Sequence, residues 1–338
     1  MSDAEQAVLK AQPSALLGWI ARLALGIVIV GGLVAWRGDA KTLSILQAVP
    51  WPVLLGSVLF YWLGQILSAL KWQYLLRARG AALSLMECCR LYLIGMFWNL
   101  WMPTNIGGDA VRAYLAGPRS GGTATAASSI LVERLTGFLA LLAIGIAGLL
   151  IGALQGARNA QAAHLVLAAM AVLLLFVLGV MAMRALVYRL AERSPDNKWL
   201  RKVAALHRAL DFYAQRERRP VLVMALVLSL LFQSSQVVLN IALARVVGLD
   251  LPALTFWWLV PLLALASLVP LGIGGLGVRE AAAVGLLHHT GAGAGTIVAW
   301  SLLWQATVWL SSLPGIFLTR GASRNKVDPG EISVMPPA

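Results

Sequence analysis

The sequence predicts an all-α, polytopic membrane protein built from two inverted repeats, with about six full transmembrane helices and two re-entrant helical hairpins. Three observations lead there: the composition, a decapeptide that occurs twice, and the placement of Lys and Arg. Hydrophobic residues make up 59% of the 338 positions and charged residues only 12%, against about 25% charged in a soluble domain. Mean hydropathy is +0.79. That balance excludes a water-soluble fold.

The segment Pro103-Thr104-Asn105-Ile106-Gly107-Gly108-Asp109-Ala110-Val111-Arg112 returns 167 positions later as Pro270-Leu271-Gly272-Ile273-Gly274-Gly275-Leu276-Gly277-Val278-Arg279. Proline, isoleucine, both glycines, valine and arginine match in register. Pro lacks an amide hydrogen and Gly tolerates backbone angles closed to other residues, so each copy interrupts a hydrophobic segment. Pro/Gly-broken segments at matching positions in two halves point to a transporter with internal repeats and place its site at the breaks. The alternative is a duplicated packing kink, which does not require the arginine that ends both copies.

Apolar stretches of spanning length, roughly 20 residues, cover 17–36, 52–73, 124–152, 162–182, 220–246 and 295–318. Two more, 85–102 and 251–269, run into the breaks and continue as short pieces at 109–117 and 278–289. The net charge of +13 reads as cytoplasmic loop charge in a membrane protein and not as a nucleic-acid surface. Ten Lys/Arg against four acids mark 183–219 as a cytoplasmic loop. Lys71, Arg77 and Arg79 mark a second cytoplasmic patch, and Arg320, Arg324 and Lys326 a cytoplasmic tail.

These sides agree only if both broken segments re-enter on the face they came from. The first hairpin then dips from the cytoplasm and the second from the far side, an inverted repeat. The expected organisation is a cytoplasmic tail (1–16), a first membrane repeat (17–160) with its hairpin at 85–117, a second (161–318) with the basic loop 183–219 and its hairpin at 251–289, and a tail expected to be disordered (319–338). With a one-residue shift, Gln65, Leu75, Arg77, Gly80 and Leu83 align with Gln233, Leu243, Arg245, Gly248 and Leu251. The polar, mildly acidic start lacks a basic n-region, so no cleaved signal is expected. The expected location is the inner (plasma) membrane, with both termini cytoplasmic.

The candidate substrate-binding residues are Gly107, Gly108, Asp109 and Arg112 in the first copy, Gly274, Gly275, Arg279 and Glu280 in the second, and Glu133 with Arg134. In both copies the Arg follows the second Gly by four residues, near the start of a returning half-helix. A helix N-terminus offers free amides and partial positive charge, Gly-Gly lets a ligand approach them, and a guanidinium grips phosphate bidentately. The alternative is that Arg112 and Arg279 pair with acids or reach the interface. Asp109, Glu133 and Glu280 lie in or beside apolar stretches, where a carboxylate is costly and functional by default. Adjacent helical residues do not face each other, so Glu133 and Arg134 should pair with other segments, Arg112 and Arg279 being candidates.

Gln233, Gln236 and Asn240 share one helical face, and Asn99 and Asn105 flank the first break. Interhelical hydrogen bonding is the favoured reading and cavity lining the alternative. Trp98, Trp101, Trp257 and Trp258 lie near the hairpins, and most of the 13 Trp are expected as interface anchors. Cys88 and Cys89 read as buried small hydrophobes. His164, His207, His288 and His289 lack HExxH spacing, and no nucleophile elbow or Walker loop occurs. No enzyme activity, metal or cofactor is expected.

The stretch from Leu91-Tyr92 through Asp109-Ala110-Val111-Arg112, the later Val132-Glu133-Arg134 and the 270–280 segment resemble the lysylphosphatidylglycerol synthase transmembrane-region family over almost the whole chain. Its pattern is Pro-x-x-x-Gly-Gly-Asp-x-x-Arg, a downstream Glu-Arg, then Pro-x-x-x-Gly-Gly-x-Gly-x-Arg-Glu. The resemblance implies that Asp109, Arg112, Glu133, Arg134, Arg279 and Glu280 match family positions. It also implies lipid handling: in members that make aminoacylated lipid, this region is a flippase beside a soluble synthase domain. That domain is expected to be missing here, which removes aminoacyl transfer. The expected function is a flippase-like translocase for a phosphate-bearing or otherwise polar lipid headgroup. Alternatives are an ion-coupled transporter of a small anionic solute, or a membrane partner of a lipid-modifying enzyme. Membrane lipids are the expected partners, a separate lipid-modifying enzyme is a further candidate, and nucleic acid is not expected.

Overall fold

The computed structural model describes residues 41–101, 107–155, 211–213, 215–268 and 276–322, with single positions at 28, 171 and 179. Regular structure among them is entirely helical. The helices are α1 (Lys41–Gln47), α2 (Trp51–Arg77), α3 (Leu85–Trp101), α4 (Gly107–Ala116), α5 (Thr123–Leu154), α6 (Arg219–Val246), α7 (Ala253–Ala266), α8 (Val278–Leu287), α9 (Ala294–Ser312) and α10 (Gly315–Ala322). Four stretches are long and apolar enough to cross a membrane: Trp51–Arg77, Thr123–Leu154, Arg216–Val246 and Ala294–Thr319. The chain is an α-helical multi-pass membrane protein. The expected spans 17–36 and 162–182, most of the basic loop, most of the breaks at 103–108 and 270–277, and both tails fall wholly or largely outside the described residues. The seven-residue α1, too short for a membrane signal, was not anticipated; Thr42 on it donates to the Gly295 carbonyl at 3.2 Å.

Local chemistry sets the helix ends, and it does so alike in the two halves. α2 and α6 each carry Pro in the first turn, where the missing amide hydrogen costs nothing. Both end on a left-handed glycine, Gly80 at φ 80° and Gly248 at φ 75°. Beyond them the Ala81 amide donates to the Leu76 carbonyl and the Leu249 amide to that of Ala244, at 3.1 and 2.8 Å. This closure needs positive φ, hence glycine. Each half continues with a second helix (α3, α7) and, further along the chain, a 10-residue helix (α4, α8), a 3-10 turn (Gly117–Arg119, His288–Thr290) and a long helix (α5, α9).

Packing follows the same correspondence. α2 lies along α6; α5 packs on α6 and α9 on α2; α7 lies against α5 and α10 against α3. α4 sits between α3 and α5, and α8 between α7 and α9. In lipid there is little hydrophobic drive between apolar helices, so close van der Waals fit has to hold them, and small residues mark the contacts. A Cβ at Gly148 would come within 2.9 Å of the Trp257 backbone, and one at Gly315 within 2.2 Å of the Leu93 carbonyl. Outward, Leu55, Leu59, Leu63, Ile66 and Leu70 form an exposed stripe along α2, as a lipid-facing surface requires.

The tightest of these approaches is between α3 and α4. A Cβ at Gly108 would sit 2.0 Å from the Gly95 carbonyl oxygen. Gly108→Ala should therefore lower stability by about 1–3 kcal/mol through overpacking. Gly56→Ala, where a Cβ meets nothing within 4 Å, should leave it unchanged or slightly raised. Denaturation midpoints of the two purified variants check this contrast.

Candidate functional site

Five ionisable side chains from three helices meet around Arg112. Asp109 and Arg112 lie one turn apart on α4, Glu133 and Arg134 are consecutive on α5, and Lys71 comes from α2. Arg112 is 2% exposed, Glu133 4%, Lys71 3% and Asp109 8%. Arg112 Nη2 donates to Glu133 Oε2 at 2.8 Å and Nη1 to Asp109 Oδ1 at 3.1 Å. Arg134 straddles Asp109, with Nε to Oδ2 at 2.7 Å and Nη2 to Oδ1 at 3.0 Å. Lys71 Nζ lies 4.0 Å from Glu133 Oε1 and donates to the Glu133 carbonyl and to Ser229 Oγ on α6. The Tyr92 hydroxyl on α3 donates to Glu133 Oε1.

Aromatic rings close this cluster. The Arg112 guanidinium carbon stands 3.7 Å from the Tyr92 ring centroid and 4.2 Å from that of Trp72. Trp72 is fixed in turn by donating its indole N–H to Ser129 Oγ at 3.0 Å. Low polarity around a charge strengthens each of these contacts and raises the cost of leaving one unmade. Three cations face two carboxylates. Arg134 keeps about half of its side-chain surface open (52%).

The second half places Arg279 and Glu280 at the start of α8, both buried. Glu280 caps the start of α8, accepting the Gly277 amide at 2.6 Å, and takes the Ser301 hydroxyl at 2.7 Å. Arg279 Nη2 donates to Asn240 Oδ1 at 3.1 Å. The Trp300 indole N–H reaches the Asn240 carbonyl at 3.0 Å. Gly274 and Gly275 lie outside the described residues. Among the described residues no group of three or more His, Cys, Asp or Glu is placed to hold a metal ion.

The comparison with known families decides the relationship. A family model for the lysylphosphatidylglycerol synthase transmembrane region matches residues 20–315. The chain belongs to that family. No curated protein and no solved structure matches it. The family's name joins this membrane domain to lipid chemistry.

Several expected roles change in the structure. Gly108 was expected to offer its amide to a ligand; that N–H instead donates to Asn99 Oδ1 at 2.7 Å, and the missing side chain lets α4 approach Gly95. Gly107, half-buried, begins α4. Glu133 and Arg134 do pair with other segments, Glu133 with Arg112 and Lys71, and Arg134 with Asp109. Lys71, read as part of a cytoplasmic patch with Arg77 and Arg79, is a buried member of the cluster. Trp72 and Trp300 are fully buried and not interface anchors. Of the polar stripe on α6, Gln233 donates to the Gly137 carbonyl at 3.2 Å and Asn240 holds Arg279, so both hydrogen-bond between helices. Cys88 is buried and Cys89 half-buried, both as free thiols.

Removing one member of a buried ion pair typically costs about 3–5 kcal/mol, because the partner charge is stranded. Glu133→Gln should approach that range. The exposed pair of Arg119 with Glu87 should give about 0–1 kcal/mol for Glu87→Gln. Unfolding midpoints of both variants in one detergent test the contrast. Equal shifts would mean that the Glu133 cluster carries no special stability.

Proposed function

We propose that the protein is a flippase-like lipid translocase of the inner (plasma) membrane, moving a phosphate-bearing or otherwise polar headgroup between leaflets. In this reading α3–α4 and α7–α8 are re-entrant hairpins that enter from opposite faces, and both termini are cytoplasmic. The observation that carries it is the buried charge cluster at the tip of the first hairpin, inside helices whose outer surface is apolar. Ionisable groups at membrane depth are costly and mark substrate pathways. A solely mechanical bundle has no need of five of them at one place. Family membership supports lipid as the substrate class.

A cleft between α2 and α6 also favours lipid. About 270 Å³ in volume, it is lined by Val53, Gly56, Ser57 and Phe60 on one helix and Val238, Leu239, Ala242, Leu243 and Val246 on the other. Its walls suit an acyl chain, while the hairpin polar groups suit a headgroup. No residue in this reading performs covalent chemistry; the protein lowers the barrier to headgroup passage, and a separate enzyme makes or modifies the lipid.

Proteoliposomes with fluorescent lipids, bleached from outside by a membrane-impermeant reductant, test the proposal. The protein should make inner-leaflet phospholipid accessible with a preference among headgroups, and Glu133→Gln should slow it at least tenfold. Absence of lipid movement, together with uptake of a small anion such as radiolabelled phosphate, would replace it by a solute transporter.

A further inference from the structure

The two halves use one motif in different ways. In the register of the repeated decapeptide, Asp109 corresponds to Leu276. Aligning α5 with α9 at their first residues, Thr123 and Ala294, places Trp304 where Glu133 stands and Trp300 where Ser129 stands. Both carboxylates that neutralise Arg112 are therefore replaced by apolar side chains in the second half. Aligning α2 with α6 at their first-turn prolines pairs Trp72 with Asn240. The indole has moved from the first long helix to the last, and it still bonds across to its partner: Trp72 to Ser129, Trp300 to Asn240.

Arg279 keeps the ring environment without the counter-charges. It is 4% exposed, and its guanidinium carbon lies 5.2 Å from the Trp304 ring centroid and 5.7 Å from that of Trp300. Among the described residues it forms no ion pair, and the adjoining break 269–275 contains no acidic residue. Glu280, its neighbour, has one oxygen on the Gly277 amide and the other on Ser301. Among the described residues the one acceptor that the Arg279 side chain meets is the neutral Asn240 amide oxygen, and its Nε, like that of Arg112, is buried without a partner. A guanidinium has five donors in a planar fork that matches an oxyanion. A buried cation lacking an anion in contact is strongly unfavourable, and among the described residues no carboxylate touches the Arg279 guanidinium, which leaves its fork open to an added anion.

We propose that Arg279 is an anion receptor, binding a phosphate-type oxyanion, whereas the charge of its counterpart Arg112 is already balanced by Asp109 and Glu133. The Trp300 and Trp304 rings keep water from the guanidinium, which strengthens a single charge-assisted contact. Asn240 orients the fork. The choice of a lipid headgroup as the source of the oxyanion rests on the translocase reading; the site itself does not.

Purified full-length protein provides the test, with Leu276→Asp, Arg279→Gln and Arg279→Lys. Leu276→Asp rebuilds the Asp-x-x-Arg spacing of the first half and should supply the counter-charge internally. Native mass spectrometry against phosphatidylglycerol should show retention by wild type, and at least tenfold weaker retention by Leu276→Asp and Arg279→Gln. The melting temperature of ligand-free Leu276→Asp should be unchanged or higher, which a merely disruptive change would not give. Arg279→Lys keeps the charge and guards against misfolding of the other two; it should bind several-fold more weakly for want of the fork. Binding by the folded variants within twofold of wild type overturns the proposal and leaves lipid translocation standing. If wild type ignores the lipid but is stabilised by inorganic phosphate, and the variants are not, the anion site holds and the lipid reading falls.

Discussion

A charge inside an apolar bundle has to be answered by the protein itself, and around Arg112 that requirement joins five helices. The guanidinium belongs to α4, its carboxylates to α4 and α5, and its aromatic walls to α2 and α3. Lys71, which shares Glu133, reaches Ser229 on α6. Hydrophobic attraction is weak between helices in lipid, so these directional contacts specify which helices meet and at what depth. Glycine then permits the distances: α4 comes close to α3 only because Gly95 faces Gly108.

The pairing of α2 with α6 and the matched turns at Gly80 and Gly248 give the halves one scaffold. Symmetry of backbone does not extend to charge. The first half is internally neutralised at its arginine and fixed by a network of hydrogen bonds; the second holds its arginine among indoles and one amide. In the proposed translocase the Arg112 cluster would be a rigid electrostatic anchor and Arg279 the receptor for an added anion. Substrate binding would complete the second site as Asp109 and Glu133 complete the first.

Helix existence was legible in the sequence because long apolar runs bounded by Pro and Gly have few alternatives: the stretch 124–152 appears as Thr123–Leu154, and 220–246 as Arg219–Val246. Asp109, Arg112, Glu133 and Arg134 were legible as a group, since ionisable residues in apolar segments need partners. Lys71 was not. A Lys near the end of a span ordinarily reaches the interface, and only the tertiary positions of Glu133 and Ser229 reveal its burial. The packing role of Gly108 was hidden for a similar reason, because a glycine required by a facing backbone looks the same in sequence as one required by a ligand. Nor does a count of Trp distinguish membrane anchors from Trp72 and Trp300, which pack against the arginines.

The account depends most directly on the two hairpins opening to opposite faces. Thr123→Cys, beside the first hairpin turn, and Thr290→Cys, in the second, place single thiols at exposed positions. In a background lacking Cys88 and Cys89, an impermeant maleimide applied to right-side-out and inverted membrane vesicles should label Thr123→Cys only from the cytoplasmic face and Thr290→Cys only from the other. Labelling of both from one face would contradict the inverted arrangement.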